Sequence, residues 1–356
     1  MRSPRVSVAP PRREAGRQSL ILDVDTGIDD MLALLYAAGH PDVDLVAVTT
    51  VAGNVGVDDV VCNTLGVLEL AGAGHVEVAA GAAGPIARTL CTTPETHGPH
   101  GLGHAVVDPV GTVSGRSAVN LLLEEARARP GEITLVTMGP LTNLAAAVLA
   151  EPNLPLLLKD VWVMGGTFTG AGNVAPRVEW NIHVDPEAAR TVFHQWSTAT
   201  ERGATPITVM GLDVTETSQF HARDLVAVAE AAGIGTIGGT DKEVMAAPLG
   251  NPVLDLVRDA LRFYFEFHEE YDGFYGAHVH DPFVVGAALD PTLVEVRSTV
   301  VDVDLGGGHT DGETVADWRG HVDKPVNAFV ALSGDGPKFI ARLRTVLAEL
   351  ACRVTA

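Results

Sequence analysis

Four carboxylates fall within one short stretch of the chain, Leu20–Asp30 (LILDVDTGIDD): Asp23, Asp25, Asp29 and Asp30. Acids crowded on a single turn repel one another by several kcal/mol per pair in a partly dry site, unless a cation or a proton compensates them. A hard divalent metal is the simplest such cation, because it takes carboxylate oxygens in numbers. Capping the start of a helix needs only one of these acids, so a plain cap leaves the other three unexplained. Gly27 supplies backbone freedom for the turn, and Asp29 and Asp30 fall where a helix dipole would hold part of their charge.

Other residue types able to do chemistry are scattered downstream. Asn54 follows Val51-Ala52-Gly53. His97, His100 and His104 stand in HGPHGLGH; a zinc reading is set aside there, because the Gly and Pro between them deny a rigid helical ligand set. Asn173, Glu179 and Asn181 lie in GNVAPRVEWN, read as a loop. His280-Asp281-Pro282 opens a further helix. Taken one at a time these have plainer uses: Asp281-Pro282 as an N-cap with Pro at the first helical position, His280 as a loop histidine, the asparagines as turn residues. Trp162 and Trp180 read as packing residues.

The elements that must position these groups alternate from the start. Leu20–Leu22 ends a buried strand and Met31–Ala38 is helix-forming. Asp44–Val51, Val76–Ala80, Ile133–Thr137, Val161–Met164 and Ile207–Met210 follow as strands, separated by helical stretches at 57–71, 117–128, after Asn143, and from Asp185-Pro186. This alternation predicts one α/β domain with an open, mostly parallel (mixed), doubly wound sheet. Ligands of such sheets lie beyond the carboxyl ends of the strands. An amphipathic helix at Pro252–Tyr271 leads into Asp272–His280, rich in aromatic residues, Gly and His, read as a lid. Trp196–Thr205 reads as a surface insertion. Strands at Val294–Val303 and Glu313–Asp317 and a helix at Pro337–Leu350 close the domain, expected to span 19–356 after a disordered tail, 1–18.

Composition narrows the function classes. The chain has 356 residues, 46% of them hydrophobic, and a formal net charge of -21, which argues against a nucleic-acid backbone as partner. Cys62, Cys91 and Cys352 are far apart with no CxxC, so neither a disulfide framework nor a thiolate zinc site is indicated, and a cytoplasmic location is expected. The basic, Pro-rich beginning lacks the apolar core of a secretory signal, and no run is long enough to span a membrane.

The segments DVDTGIDD, VAGNV (Val51–Val55), MGPLTN, VMGG, EWN (Glu179–Asn181), GLDVT and HVHDP (His278–Pro282) together resemble the nucleoside hydrolases of the inosine–uridine type, in that family's order, from about residue 19 to the C-terminus. The resemblance implies a calcium-dependent N-ribohydrolase. It implies that Asp25, Asp30 and Asp281 bind Ca2+ with the backbone carbonyl of Met138, and that Asp25 is the general base. Asp29, Asn54 and Asn181 would contact ribose hydroxyls, Asn173 and Glu179 the 5' end. His280 would protonate or orient the departing base, with His97 also in the base pocket, which leans towards a broad or pyrimidine-tolerant branch. Asp23 would brace the turn. A homodimer or homotetramer is implied as well. Thr26 departs from the family's usual Pro and Trp180 from its usual Phe. Two rivals remain: a haloacid dehalogenase-type phosphatase, with Asp23 as nucleophile and Ser333-Gly334-Asp335-Gly336 as its late acidic loop, and a non-catalytic calcium and ribose binder.

Overall fold

The computed structural model describes residues 16–236 and 238–355. In chain order its strands are β1 Gln18–Val24, β2 Val43–Thr50, β3 Glu77–Ala80, β4 Thr134–Thr137, β5 Asp160–Met164, β6 Ile207–Met210, β7 Gln219–Phe220, β8 Ala277–His278, β9 Val294–Thr299, β10 Val301–Val303, β11 Thr314–Ala316 and β12 Ala328–Gly334. Its helices are α1 Ile28–Gly39, α2 Val57–Leu70, α3 Pro94–His97, α4 Ala118–Ala128, α5 Thr142–Ala150, α6 Leu154–Leu157, α7 Trp180–Val184, α8 Pro186–Thr200, α9 Leu212–Thr215, α10 Ala222–Ala231, α11 Asp241–Ala246, α12 Pro252–Tyr271, α13 His280–Leu289 and α14 Gly336–Thr355.

Eight strands form one sheet in the order β3-β2-β1-β4-β5-β6-β12-β9. All pair in parallel except β9, which runs antiparallel to β12 at the edge. The expected mixed, doubly wound α/β sheet is therefore present. Strand β1 shows why both faces must be covered: Leu20, Leu22 and Val24 enter one buried cluster, Ile21 the other. A parallel strand buried on both faces reads as a continuous apolar run, as LIL does. Helices α1 and α12 to α14 cover the first face; α4, α5 and α8 cover the second. The strand order reverses between β1 and β4, so the loops leaving their carboxyl ends diverge and open a crevice. Asp25 follows β1, and Met138 follows β4.

Several expectations need correction. The strand read over Val294–Val303 breaks at Val300: β9 joins the main sheet, while β10 pairs with β11 in a separate ribbon. Strand β12, unread in the sequence, inserts between β6 and β9. At its end Asp335 caps the final helix, α14, the plainer use that the sequence suggests for it: its Oδ1 accepts from the Lys338 N–H at 3.0 Å. A six-residue helix, α11, unread in the sequence, precedes α12. The expected lid is partly tied down, since His278 and Ala277 pair with Gln219 and Phe220. Strand β1 begins at Gln18, which pairs with Val43, and residues 1–15 of the expected tail lie outside the described residues.

The supposed surface insertion Trp196–Thr205 is half core. Trp196 is 1% exposed inside α8, and its Nε1 donates to the Thr205 carbonyl at 3.1 Å. One face of α8 continues its apolar stripe through Trp196 and Ala199, which periodicity obscured because Ser, Thr and Glu surround them. Trp196→Ala is expected to cost about 3–5 kcal/mol of stability in urea unfolding; a loss below about 1 kcal/mol would show that this helix end is not packed.

Candidate active site

The turn after β1 is held by its own acids. Asp30, in the first turn of α1, accepts from the Gly27 N–H through Oδ2 at 2.9 Å and from the Asp25 N–H through Oδ1 at 3.3 Å. Gly27 is needed for space rather than for unusual dihedrals: its φ is -91°, but a Cβ there would stand 2.6 Å from both Asn54 Nδ2 and His97 Nδ1. Two more glycines enclose Asp25. A Cβ at Gly53 would meet Asp25 Oδ2 at 2.1 Å, and one at Gly139 would meet Oδ1 at 2.9 Å. Asp25 Oδ2 accepts from the Asn54 N–H at 2.8 Å, whereas Oδ1 is buried with no partner.

Below this turn Asp23 forms the floor. Its Oδ1 accepts from Thr49 Oγ1 (2.5 Å) and Asn143 Nδ2 (2.8 Å), and its backbone carbonyl accepts from the Met138 N–H at 2.8 Å, so the floor ties β1 to β4. Its Oδ2 has no partner.

Across the crevice, α13 brings in Asp281. One oxygen from each of Asp29, Asp30 and Asp281 lies within 4.8 Å of the others, all three buried. Asp30 and Asp281 share a hydrogen bond, and Asp29 accepts the backbone N–H groups of His280 and Asp281 at the start of α13. The trio that closes most tightly thus includes Asp29, with Asp25 alongside it. Burial, and then the charge of Asp30, raises Asp25 well above the usual carboxylate range; the same two causes push Asp29 up to about 7. Asp30 is pushed up to about 6 by burial against the Gly27 N–H, and Asp281 rises through burial and the charges of Asp29, Asp30 and Asp25. Uncompensated charge is what a divalent metal would relieve, and the orphaned Asp25 Oδ1 supplies a further oxygen: the donor set fits a hard cation.

The remaining candidates arrive from other strand ends. Asn54 also points Nδ2 at Asp30 Oδ2 across 3.4 Å. Asn181 lies in helix α7, not in a loop as read, and its Nδ2 donates to the Met138 carbonyl at 2.6 Å. Glu179 caps α7: its carboxylate accepts the N–H groups of Asn181, Gly166 and Ile182 at 2.8, 2.9 and 3.1 Å, and burial lifts it to about 7 despite them. Exposed Asn173 bonds the Trp180 N–H at 3.0 Å. Trp162 is core, as expected of a packing residue.

His97, His100 and His104 do not converge. His97 Nδ1 accepts from the Ile28 N–H at 3.1 Å, His100 faces Asp59 and His104 faces Glu266. Burial lowers His97 to about 3, so it is a neutral ring bracing the start of α1. His280 Nδ1 lies 2.8 Å from Thr215 Oγ1, and burial followed by His278, His268 and His97 keeps it well below its ordinary value. Sequence reasoning passed over Asn143, Thr215 and Tyr264. The first two sit inside the quoted MGPLTN and GLDVT segments, which was the available signal. Tyr264, whose ring lies 5.4 Å from that of His97, looked like one more apolar position of α12.

The acid pKa values carry a pH signature. Asp29 and Asp30 hold protons in the folded state at pH values where their ordinary value near 3.8 would have released them. The folded state therefore binds more protons than the unfolded one, and stability falls as pH rises from about 4 through 7. With chelator present, Tm should drop across that window, and a saturating divalent cation should raise Tm more at the alkaline end. A Tm that climbs or stays flat there would contradict the buried, uncompensated cluster.

Comparison with known proteins agrees with this geometry. The model of the inosine-uridine preferring nucleoside hydrolase family matches residues 20–341. A protein of Citrobacter koseri described as a pyrimidine-specific ribonucleoside hydrolase, RihA, is 34% identical over 92% of this chain and 97% of its own. Among solved structures, a purine-preferring ribonucleoside hydrolase from Gardnerella vaginalis superposes with a TM-score of 0.83 at 29% identity, covering 94% of this chain and 100% of its own. An inosine-guanosine nucleoside hydrolase gives 0.76 at 27%, covering 93% and 98%. This chain belongs to the inosine-uridine preferring nucleoside hydrolase family, whose reaction is hydrolysis of the N-glycosidic bond of ribonucleosides.

Proposed function

We propose that the chain releases ribose from ribonucleosides, pyrimidine ribonucleosides foremost, with calcium held by Asp25, Asp30, Asp281 and the Met138 carbonyl. The observation that carries this reading is the buried acid cluster at the β1/β4 switch point, with Asp25 Oδ1 unpartnered beside Gly139. Calcium bound there would supply positive charge beside two ribose hydroxyls and acidify an adjacent water.

The chain's own groups account for the rest. Asp25 accepts the proton of the attacking water as that oxygen bonds to C1'; the C1'–N bond breaks and its electron pair leaves with the base. Positive charge develops on the sugar ring, and the surrounding carboxylates, preorganised by backbone N–H groups, favour it. Asp29, Asn54 and Asn181 orient the ribose hydroxyls, and Asn173 and Glu179 the 5' end. His280, its ring fixed by Thr215, and His97, fixed by Ile28, face the base as neutral imidazoles able to hydrogen-bond it. The pyrimidine preference rests on the RihA relatives, which align over nine-tenths of the chain. A homodimer or homotetramer and a cytoplasmic location belong to the same proposal; among the described residues no helix is long and apolar enough to cross a membrane.

Incubation with uridine, cytidine, inosine and adenosine, in calcium or in excess chelator, should give ribose release that chelator abolishes, fastest with uridine or cytidine. Asp25→Asn should lower kcat by about 10²–10⁴-fold with little change in KM. Chelator-resistant release would remove calcium from the reading, and an Asp25→Asn enzyme of full kcat would remove the base. Hydrolysis of p-nitrophenyl phosphate in magnesium without ribose release would favour the phosphatase rival.

A further inference from the structure

A second group of metal-compatible side chains lies where α12 runs into α13. His268, Asp272 and His278 each place one ring nitrogen or carboxylate oxygen within 4.8 Å of the others. His268 is 4% exposed, its ring packed by Tyr264 (centroids 4.5 Å), Phe274 (5.3 Å, stacked) and His278 (5.2 Å). Its Nδ1 stands 2.6 Å from Asp272 Oδ2 and its Nε2 accepts from the His278 backbone N–H at 3.4 Å, so a bound ion would take the place of one of these two contacts. His278 is fixed independently: its backbone pairs with Gln219 in the β7–β8 ribbon, and its Nδ1 lies 2.8 Å from the Glu216 carbonyl. A carbonyl oxygen only accepts, so Nδ1 carries the proton and Nε2 presents a lone pair. Proteins orient metal-binding imidazoles in this way, by a hydrogen bond from the opposite ring nitrogen. Asp272 is exposed at the end of α12, which gives the set one adjustable ligand and an entry path from solvent.

We propose that His268, Asp272 and His278 form a second cation site, taking a borderline transition-metal ion such as zinc. Two imidazoles and a carboxylate suit zinc, cobalt or nickel, whereas calcium selects the all-oxygen set of the acid cluster. The two sites thus sort cations by donor chemistry. The ion takes one nitrogen of each ring and an oxygen of Asp272, with water completing the shell. It fastens the end of α12 to β8, two residues before His280, whose ring centroid is 6.0 Å from that of His278.

The test uses the full chain saturated with calcium, titrated with Zn2+ by calorimetry and with Co2+ by visible absorption. One ion per chain beyond calcium is expected, with the absorption of tetrahedral cobalt. Asp272→Ala, an exposed change, should weaken binding about tenfold or more; His278→Gln should remove the cobalt band, and His104→Ala should leave both unchanged. No binding beyond calcium, displacement of zinc by added calcium, or unaltered affinity in Asp272→Ala would overturn the site. Because none of these readouts needs turnover, they stand or fall apart from the nucleoside-hydrolase reading.

Discussion

Everything in this structure is arranged around the repulsion among buried carboxylates at one end of β1. Asp23, Asp25, Asp29 and Asp30 come from a single turn, and Asp281 is added from the far side of the crevice. Water screens none of them well, so each must be held by something else. The chain supplies backbone N–H groups from Gly27, Asn54 and the first turn of α13, together with Thr49 and Asn143 beneath. These bonds fix where the oxygens point but leave net negative charge, and one Asp25 oxygen, unanswered. A cation placed there would neutralise that charge.

Such a cluster requires a rigid frame, and the sheet provides it. Adjacent parallel strands β1 and β4 deliver Asp25 and the Met138 carbonyl to the same edge, with the Asp23 carbonyl bonded to the Met138 N–H between them. Helices α1 and α13 pack against each other on one face, and their first turns carry Asp29, Asp30 and Asp281. The acids thus sit at or beside element ends rather than on long loops, where a scaffold positions side chains more precisely.

The two histidines proposed to face the base, His97 and His280, end a chain of rings placed differently from the acids. Rings run in contact from His97 through Tyr264, His268, Phe274 and His278 to His280. They come from α3, α12, the segment through β8 and the first residue of α13, outside the eight-stranded sheet. Relatives described as pyrimidine-specific, purine-preferring and inosine-guanosine hydrolases all match this one chain. In the proposed reading, with ribose held at the sheet edge and the base at peripheral rings, base preference can change without disturbing the acids.

The sequence by itself determined what local chemistry can determine. The apolar run into DxDxxxDD required a strand, a turn and a helix with too much negative charge, and the strand–helix alternation required a parallel sheet with a ligand at its carboxyl edge. The ordered motifs placed Asp25, Asp30, Asp281, Asn54 and His280 in one family before any coordinates. Tertiary structure alone decided how distant groups meet. Asp281 reaches Asp30 from the far part of the chain because α13 packs on α1. His97 turns to the Ile28 N–H, not to His100 and His104; Trp196 fills a core from within a polar stretch; β12 claims the place between β6 and β9. Periodicity and turn chemistry report on neighbours within a few residues, whereas these contacts are settled by which buried surfaces and polar atoms find partners once the whole chain is packed.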